Sequence, residues 1–255
     1  MAPAGQEPLA VLYFHRPPLY ISQGPGQGGG LLLDRVKRVL GLAEVPFALK
    51  EMPVKRILEE LKWGKYACGI GWFKTAEREA YVTYSDPIYQ DGPYQILINR
   101  RKAAGLPVSP TLEQVLKSGL TMGSVAGYTY GAWAEGLLER LRPPRENPTG
   151  STINLLRMIA LGRCDFTLAA PDEAAWLLAQ EPELSARLEA RPLAGASPGN
   201  QRHILLSKAV PAEVVRRVNL AIARVVAEEG LTPGDQASQP LGLGSNRSTM
   251  SLSLH

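Results

Sequence analysis

Two stretches of this chain follow one pattern, and that repetition limits the folds open to it more than any other feature. Leu58-Glu59-Glu60-Leu61-Lys62-Trp63-Gly64-Lys65-Tyr66-Ala67-Cys68 and Leu156-Arg157-Met158-Ile159-Ala160-Leu161-Gly162-Arg163-Cys164-Asp165-Phe166 each read as a helix with an apolar face, a stop, and a strand. The stop is glycine plus a basic residue in both. Glycine ends helices because the left-handed position beyond the last turn carries no Cβ penalty for it. A helix that stops and passes at once into an apolar strand is half of a strand–helix–strand unit. Two such halves, far apart in the chain, predict two similar α/β lobes.

The segments around each copy agree. Leu9–Phe14 is an apolar run of strand length, ended by Arg16-Pro17-Pro18. Ser22 to Gly30 is glycine-rich but lacks the Gly-Lys-Ser/Thr ending of a phosphate loop, so it predicts a surface hairpin or loop. Leu31–Leu40 has helical spacing, with Gly41 expected as its C-cap, and Pro46–Met52 reads as a strand. Pro53 stands at or near the start of the next helix, where its missing N–H costs nothing. Tyr94–Asn99 is a further strand, and Arg100 to Pro110 reads as a linker before the pattern restarts. Thr111 to Leu116, Tyr130 to Leu141, Ser151 to Leu161 and Pro171 to Gln180 predict helices. Leu120–Val125, Cys164–Ala169, Leu188–Leu193 and His203–Leu206 predict strands. Pro211 to Glu229 is a long amphipathic helix capped by Gly230, and the tail from Leu231 has little to bury, which predicts disorder.

The stretch from Gly71 to Tyr89 is the richest in chemistry. Thr75 stands where a helix N-cap should stand, and Arg78 sits one turn on, pointing back toward the preceding loop. A guanidinium held there is a planar fork of donors suited to a carboxylate; the alternative is an arginine on a solvated helix face. Other chemistries find little support. The chain's 255 residues are 45% hydrophobic and 20% charged, with a net charge of +4, and the basic residues are scattered, which argues against nucleic acid. No apolar run approaches the roughly 18 residues of a membrane span. The N-terminus lacks the charged and apolar regions of a signal peptide. Cys68 and Cys164 are too few for a metal site, and His15, His203 and His255 show no ligand spacing. No metal, cofactor or nucleophile–histidine–acid set is expected.

Thr75-Ala76-Glu77-Arg78 followed by Tyr84-Ser85-Asp86-Pro87-Ile88-Tyr89 resembles paired motifs, Thr-Pro-Glu-Arg and Phe-Ser-x-Pro-Tyr-Tyr, of the type 2 periplasmic solute-binding proteins of the polar amino-acid group (extracellular solute-binding family 3). Pro17-Pro18, Leu61-Lys62-Trp63-Gly64-Lys65 and Ala126-Gly127-Tyr128-Thr129 add to the resemblance, which covers residues 9–230. It implies an α/β fold of two lobes, each a mainly parallel sheet flanked by helices, with a ligand cleft between them. Lobe I would be residues 1–98 plus 199–230, lobe II 99–198, and 231–255 the tail. It also implies that the lobes close over a small solute.

Carried over residue by residue, the resemblance makes Arg78 the partner of a ligand carboxylate. Gly71 would turn its carbonyl to the ligand, and Tyr128 and Thr129 would form the lobe II loop at a helix N-terminus. Tyr13 would lie at the cleft floor, the alternative being a half-buried strand tyrosine; Trp72, Phe73 and Tyr128 would add aromatic wall, the alternative for Trp72 being to cover the lobe surface. The chain departs from the family at Phe73, where a hydroxyl residue is usual, and at Ala170, where an aspartate usually meets the α-ammonium. Asp172 or Glu173 could substitute for it. The implied function is non-catalytic binding of a small amino-acid-like, aromatic or apolar carboxylate for ABC-type uptake or sensing. The protein would be a monomer, periplasmic or extracellular with its leader absent from this sequence, and partnered with a permease or sensor. Two alternatives are a cyclohexadienyl (arogenate or prephenate) dehydratase on the same scaffold, using Asp172, Glu173 or Tyr13, and a degenerate sensory or scaffold module that binds no small ligand. The two cysteines fall in different lobes and are expected to be free thiols.

Overall fold

The structure is a computed structural model, and it describes residues 7–231. The expected disordered tail, beyond Leu231, lies outside the described residues, as do residues 1–6. The chain opens with β1 (Leu9–Tyr13), a small antiparallel hairpin of β2 (Ile21–Ser22) and β3 (Gly28–Gly29), and α1 (Leu31–Leu42). There follow β4 (Phe47–Glu51), α2 (Val54–Lys62), β5 (Ala67–Trp72), α3 (Ala76–Glu79) and β6 (Val82–Gln90). The second lobe carries β7 (Gln95–Asn99), α4 (Arg100–Ala103), α5 (Leu112–Lys117), β8 (Met122–Gly123), α6 (Gly131–Leu141) and β9 (Arg145–Glu146). It continues with α7 (Thr152–Ala160), β10 (Phe166–Ala169), α8 (Pro171–Gln180), α9 (Pro182–Arg187) and β11 (Leu188–Pro192). The chain then returns to the first lobe as β12 (Gln201–Ser207) and α10 (Ala212–Glu229).

The first sheet runs β4-β1-β5-β12-β6 and the second β11-β7-β10-β8-β9. Both are mixed rather than mainly parallel. β4, β1 and β5 are parallel, while β12 is antiparallel to β5 and β6; in the second sheet β10, β8 and β9 are parallel, and β7 is antiparallel to β10 and β11. The antiparallel pairs arise because the chain crosses between lobes twice, at residues 91–94 and 193–200, and enters each sheet at the cleft end, where β5 and β10 finish: Gln95 pairs with Ala169 and His203 with Trp72. The crossover corrects the expected lobe boundary. β7, assigned by sequence to lobe I, pairs with β10 and β11 in lobe II.

Side-chain alternation explains how each sheet buries two faces. Val11 and Tyr13 join the core under α1 and α10, while Leu12 between them packs with Ile57 and Leu61 of α2. Ile204 and Leu206 repeat this against Leu205. In lobe II, Ile96 and Ile98 pack on the α5–α6 side and Leu97 on the α7–α9 side. The matched segments occupy matched places. Gly64 and Gly162 hold φ of 66° and 75°, and the strands they release, β5 and β10, are each third in their sheet.

Several boundaries differ from expectation for local reasons. Gly41 does not cap α1, which runs on to Leu42; the left-handed residue after it is Glu44, at φ 52°. Pro87 lies inside β6, an edge strand, opposite His203 where the register with β12 shifts. The expected linker after Asn99 begins as α4, with the Asn99 side chain as its cap. α9 and the short β9 carry too few residues to show periodicity.

Candidate functional site

The two lobes meet at the C-terminal ends of β1 and β5, which deliver the loops bearing Phe14, Arg16 and the Gly71–Arg78 stretch. Opposite them lie the loop before α6 and the first turn of α8. Between them is a cavity of about 40 Å³. Its lobe I wall is Phe14, Arg16 and Val54, then Gly71, Trp72, Phe73 and Arg78, with Arg202 from the start of β12; Gly127, Tyr128 and Thr129 face them from lobe II.

Arg78 is where the N-cap reading put it. The Thr75 side chain accepts from the Arg78 N–H at 3.4 Å, which fixes the turn. The guanidinium reaches back to donate from Nη1 to the Phe73 carbonyl at 3.2 Å and lies 4.9 Å from the Trp72 ring centroid. It is only 9% exposed, and no acidic side chain pairs with it among the described residues. The solvated-face alternative therefore does not describe it.

Gly71 lines the cavity with φ 73°, and a Cβ there would collide with the Tyr20 hydroxyl. Its carbonyl, expected to face a ligand, accepts instead from Arg202 Nη1 at 3.0 Å. Arg202 in turn holds Asp91 through Nε at 2.6 Å, with both side chains buried, and lies 4.7 Å from the Phe73 ring centroid. Burial opposes the Arg202 charge, but Asp91 outweighs it and holds the guanidinium above its ordinary value.

Arg16 makes the contact that joins the lobes. Its Nε and Nη2 donate to the two Glu173 oxygens at 2.7 and 2.8 Å, a bidentate pair across the cleft, while its guanidinium stacks 4.5 Å from the Tyr128 ring centroid. Burial pushes the Glu173 carboxyl up, yet the Arg16 charge and hydrogen bonds win and hold it below the usual carboxylate range. Glu173, named by sequence as a possible stand-in for the missing aspartate, is thus already engaged. Asp172, the other, accepts from the Tyr89 hydroxyl at 2.7 Å and does not line the cavity.

Tyr128 and Thr129 line the cavity as expected, but the α6 N-terminus is served by the chain itself. Glu135 accepts from the Tyr130 N–H at 2.9 Å and the Thr129 hydroxyl at 3.1 Å. Tyr13 is not at the cleft floor; it is buried under the hairpin, donating to the Gln27 carbonyl at 3.0 Å, and its neighbour Phe14 takes the cleft position. Cys68 and Cys164 are free and buried, one in each lobe, and burial pushes their thiols up to about 12 and about 11.

Sequence reasoning passed over Arg16, Asp91 and Arg202. Arg16 was legible only as a strand-ending residue before two prolines. Arg202 carried a fainter signal, a charge set directly before the apolar run His203–Leu206.

No protein-family model matches this chain, and no curated protein sequence matches it. Solved structures do. An ancestral arginine-binding protein bound to arginine is 20% identical with a TM-score of 0.69, covering 89% of this chain and 95% of that one. The arginine-, lysine-, histidine-binding protein ArtJ of Geobacillus stearothermophilus is 19% identical with a TM-score of 0.69, covering 88% and 92%. The glutamate-bound ligand-binding core of GluR0 from Nostoc punctiforme is 18% identical with a TM-score of 0.66, covering 88% and 95%. At such identities the likeness speaks for architecture alone: this chain has the type 2 periplasmic-binding-protein fold, two mixed α/β lobes with a cleft between them.

Proposed function

We propose that the chain binds a small carboxylated solute in the interlobe cleft, without catalysis, and serves uptake through a membrane permease or sensing. Arg78 carries this reading. A buried guanidinium with no carboxylate partner is costly to hold. A ligand carboxylate can accept two parallel bonds from its fork, which offsets that cost and gives orientation. The aromatic walls Trp72, Phe73 and Tyr128 favour an apolar body behind the carboxylate. The likeness to proteins solved with arginine and glutamate bound supports the same cleft as the binding place. Among the described residues, the lining includes neither carboxylate nor histidine, the groups a dehydratase would use as acid or base, which favours binding over elimination. An extracytoplasmic location fits this role, and no helix among the described residues is long and apolar enough to cross a membrane.

The test is Arg78→Ala, read by calorimetry against a panel of small carboxylic acids with circular dichroism as the folding control. Loss of a desolvated bidentate partner should weaken binding at least about a hundredfold, the equivalent of roughly 2.7 kcal/mol. Unchanged affinity in a folded variant would remove the carboxylate-clamp reading.

A further inference from the structure

Among the described residues, the cavity wall contains three guanidinia, those of Arg16, Arg78 and Arg202, and no carboxylate. Two of the three are neutralised from behind, Arg16 by Glu173 and Arg202 by Asp91. Two further acids, Asp172 and Glu135, do not line the cavity; they accept from neutral donors, the Tyr89 hydroxyl for Asp172 and the Tyr130 N–H and Thr129 hydroxyl for Glu135. Among the described residues, the guanidinium that faces the cavity with no carboxylate partner is that of Arg78. From this balance we infer that the cleft takes a monoanionic carboxylate carrying no ammonium group, and that Arg16 sets this specificity by occupying both oxygens of Glu173. This rests on the carboxylate-binding reading above and narrows it.

The physical argument is one of counter-charges. An α-amino acid brings an ammonium that must lose its water on entering a closed cleft, and an unpaired buried ammonium is costly. Glu173 stands at the first turn of α8, on the lobe II side, and is the acid that touches the lining residue Arg16. Its two oxygens already accept from the Arg16 fork at 2.7 and 2.8 Å, and its charge is offset by that guanidinium, so an ammonium drawn to it would face the Arg16 charge as well. Two carbonyls of that wall are already in use: the Gly71 carbonyl accepts from Arg202, and the Phe73 carbonyl from Arg78 and the Tyr84 hydroxyl. An ammonium would meet the uncompensated charge of Arg78, since Arg16 and Arg202 already carry their own counter-charges. A carboxylate without it meets only attraction.

The discriminating experiment is calorimetry with matched pairs that share a carbon skeleton: acetate and glycine, propionate and L-alanine, 3-phenylpropionate and L-phenylalanine. Each is titrated into the wild-type chain and into Arg16→Lys and Arg16→Gln, with melting temperature as the folding control. In the wild type, the member without nitrogen of at least one pair should bind, at least about tenfold more tightly than its amino partner. Arg16→Lys keeps the charge beside Glu173 and should keep the preference. Arg16→Gln releases the carboxylate and should shrink the preference at least about tenfold, a change in ratio that a merely structural role would not produce. An amino member that binds as well as its partner in the wild type overturns this inference while leaving carboxylate binding in place. An undiminished preference in folded Arg16→Gln overturns the role of Arg16. Absence of binding by both members of every pair, in a wild type indistinguishable from Arg78→Ala, overturns the carboxylate reading and this inference together.

Discussion

At the scale of single residues, the site depends on one glycine as much as on its arginines. Gly71 turns β5 toward the cleft at φ 73°, and the space a Cβ would need is filled by the Tyr20 hydroxyl, which donates to the Ile70 carbonyl at 3.0 Å. Gly71→Ala therefore combines left-handed strain with overpacking. It should destabilise the fold by about 2–5 kcal/mol, measured by urea denaturation. A loss below about 1 kcal/mol would show that Tyr20 yields easily. Tyr20 itself is held in place by the buried surroundings that push its phenol up to about 12.

At the scale of elements, β12 links the crossover to the lobe I core, and a buried histidine sits within it. His203 Nδ1 donates to the Ser85 carbonyl at 2.8 Å, tying β12 to the edge strand β6 beside the bulge near Pro87. Burial lowers its pKa below the ordinary 6.5. The folded chain then binds fewer protons than the unfolded chain below that value, so this stability is present above about pH 6.5 and is lost as pH falls toward the depressed value. His203→Gln should flatten the decline of stability between about pH 6.5 and pH 5 relative to the wild type. Equal slopes in denaturant titrations across that range would show that His203 is not the group responsible.

For the whole molecule, the relation between the lobes rests on few polar ties: Arg16 to Glu173, Tyr89 to Asp172, and Asn200 Nδ2 to the Tyr130 carbonyl at 3.1 Å. Leaving Arg16 buried without its partner costs about 3–5 kcal/mol. Separation of the lobes relieves that cost by returning Arg16 to water. Glu173→Gln should therefore show a larger radius of gyration than the wild type at neutral pH in X-ray scattering. Glu173 is held below the usual carboxylate value of 4.5, so its tie is complete above that pH and is lost as pH falls through the depressed value. The wild type should accordingly expand on acidification, with no matching step in Glu173→Gln. Identical scattering from the two proteins at both pH values would place closure elsewhere.

How much of this was legible in advance follows from the range of each interaction. The sequence alone determined the two-lobed α/β architecture, because helix stops such as Gly64 and Gly162, the Thr75 and Ser151 caps and the alternating strand faces are local signals. It also placed Arg78, since an N-cap three residues earlier orients the side chain wherever the helix lies. What only the tertiary structure decided was which charges meet. Arg16 and Glu173 lie 157 positions apart, and Arg202 and Asp91 lie 111 apart. The crossovers alone bring each pair together. The antiparallel halves of the sheets and the lobe to which β7 belongs have the same origin. A strand's own residues state that it is buried on both faces but not which neighbours it will find, and the charge left in the cleft is the remainder after those distant pairs have formed.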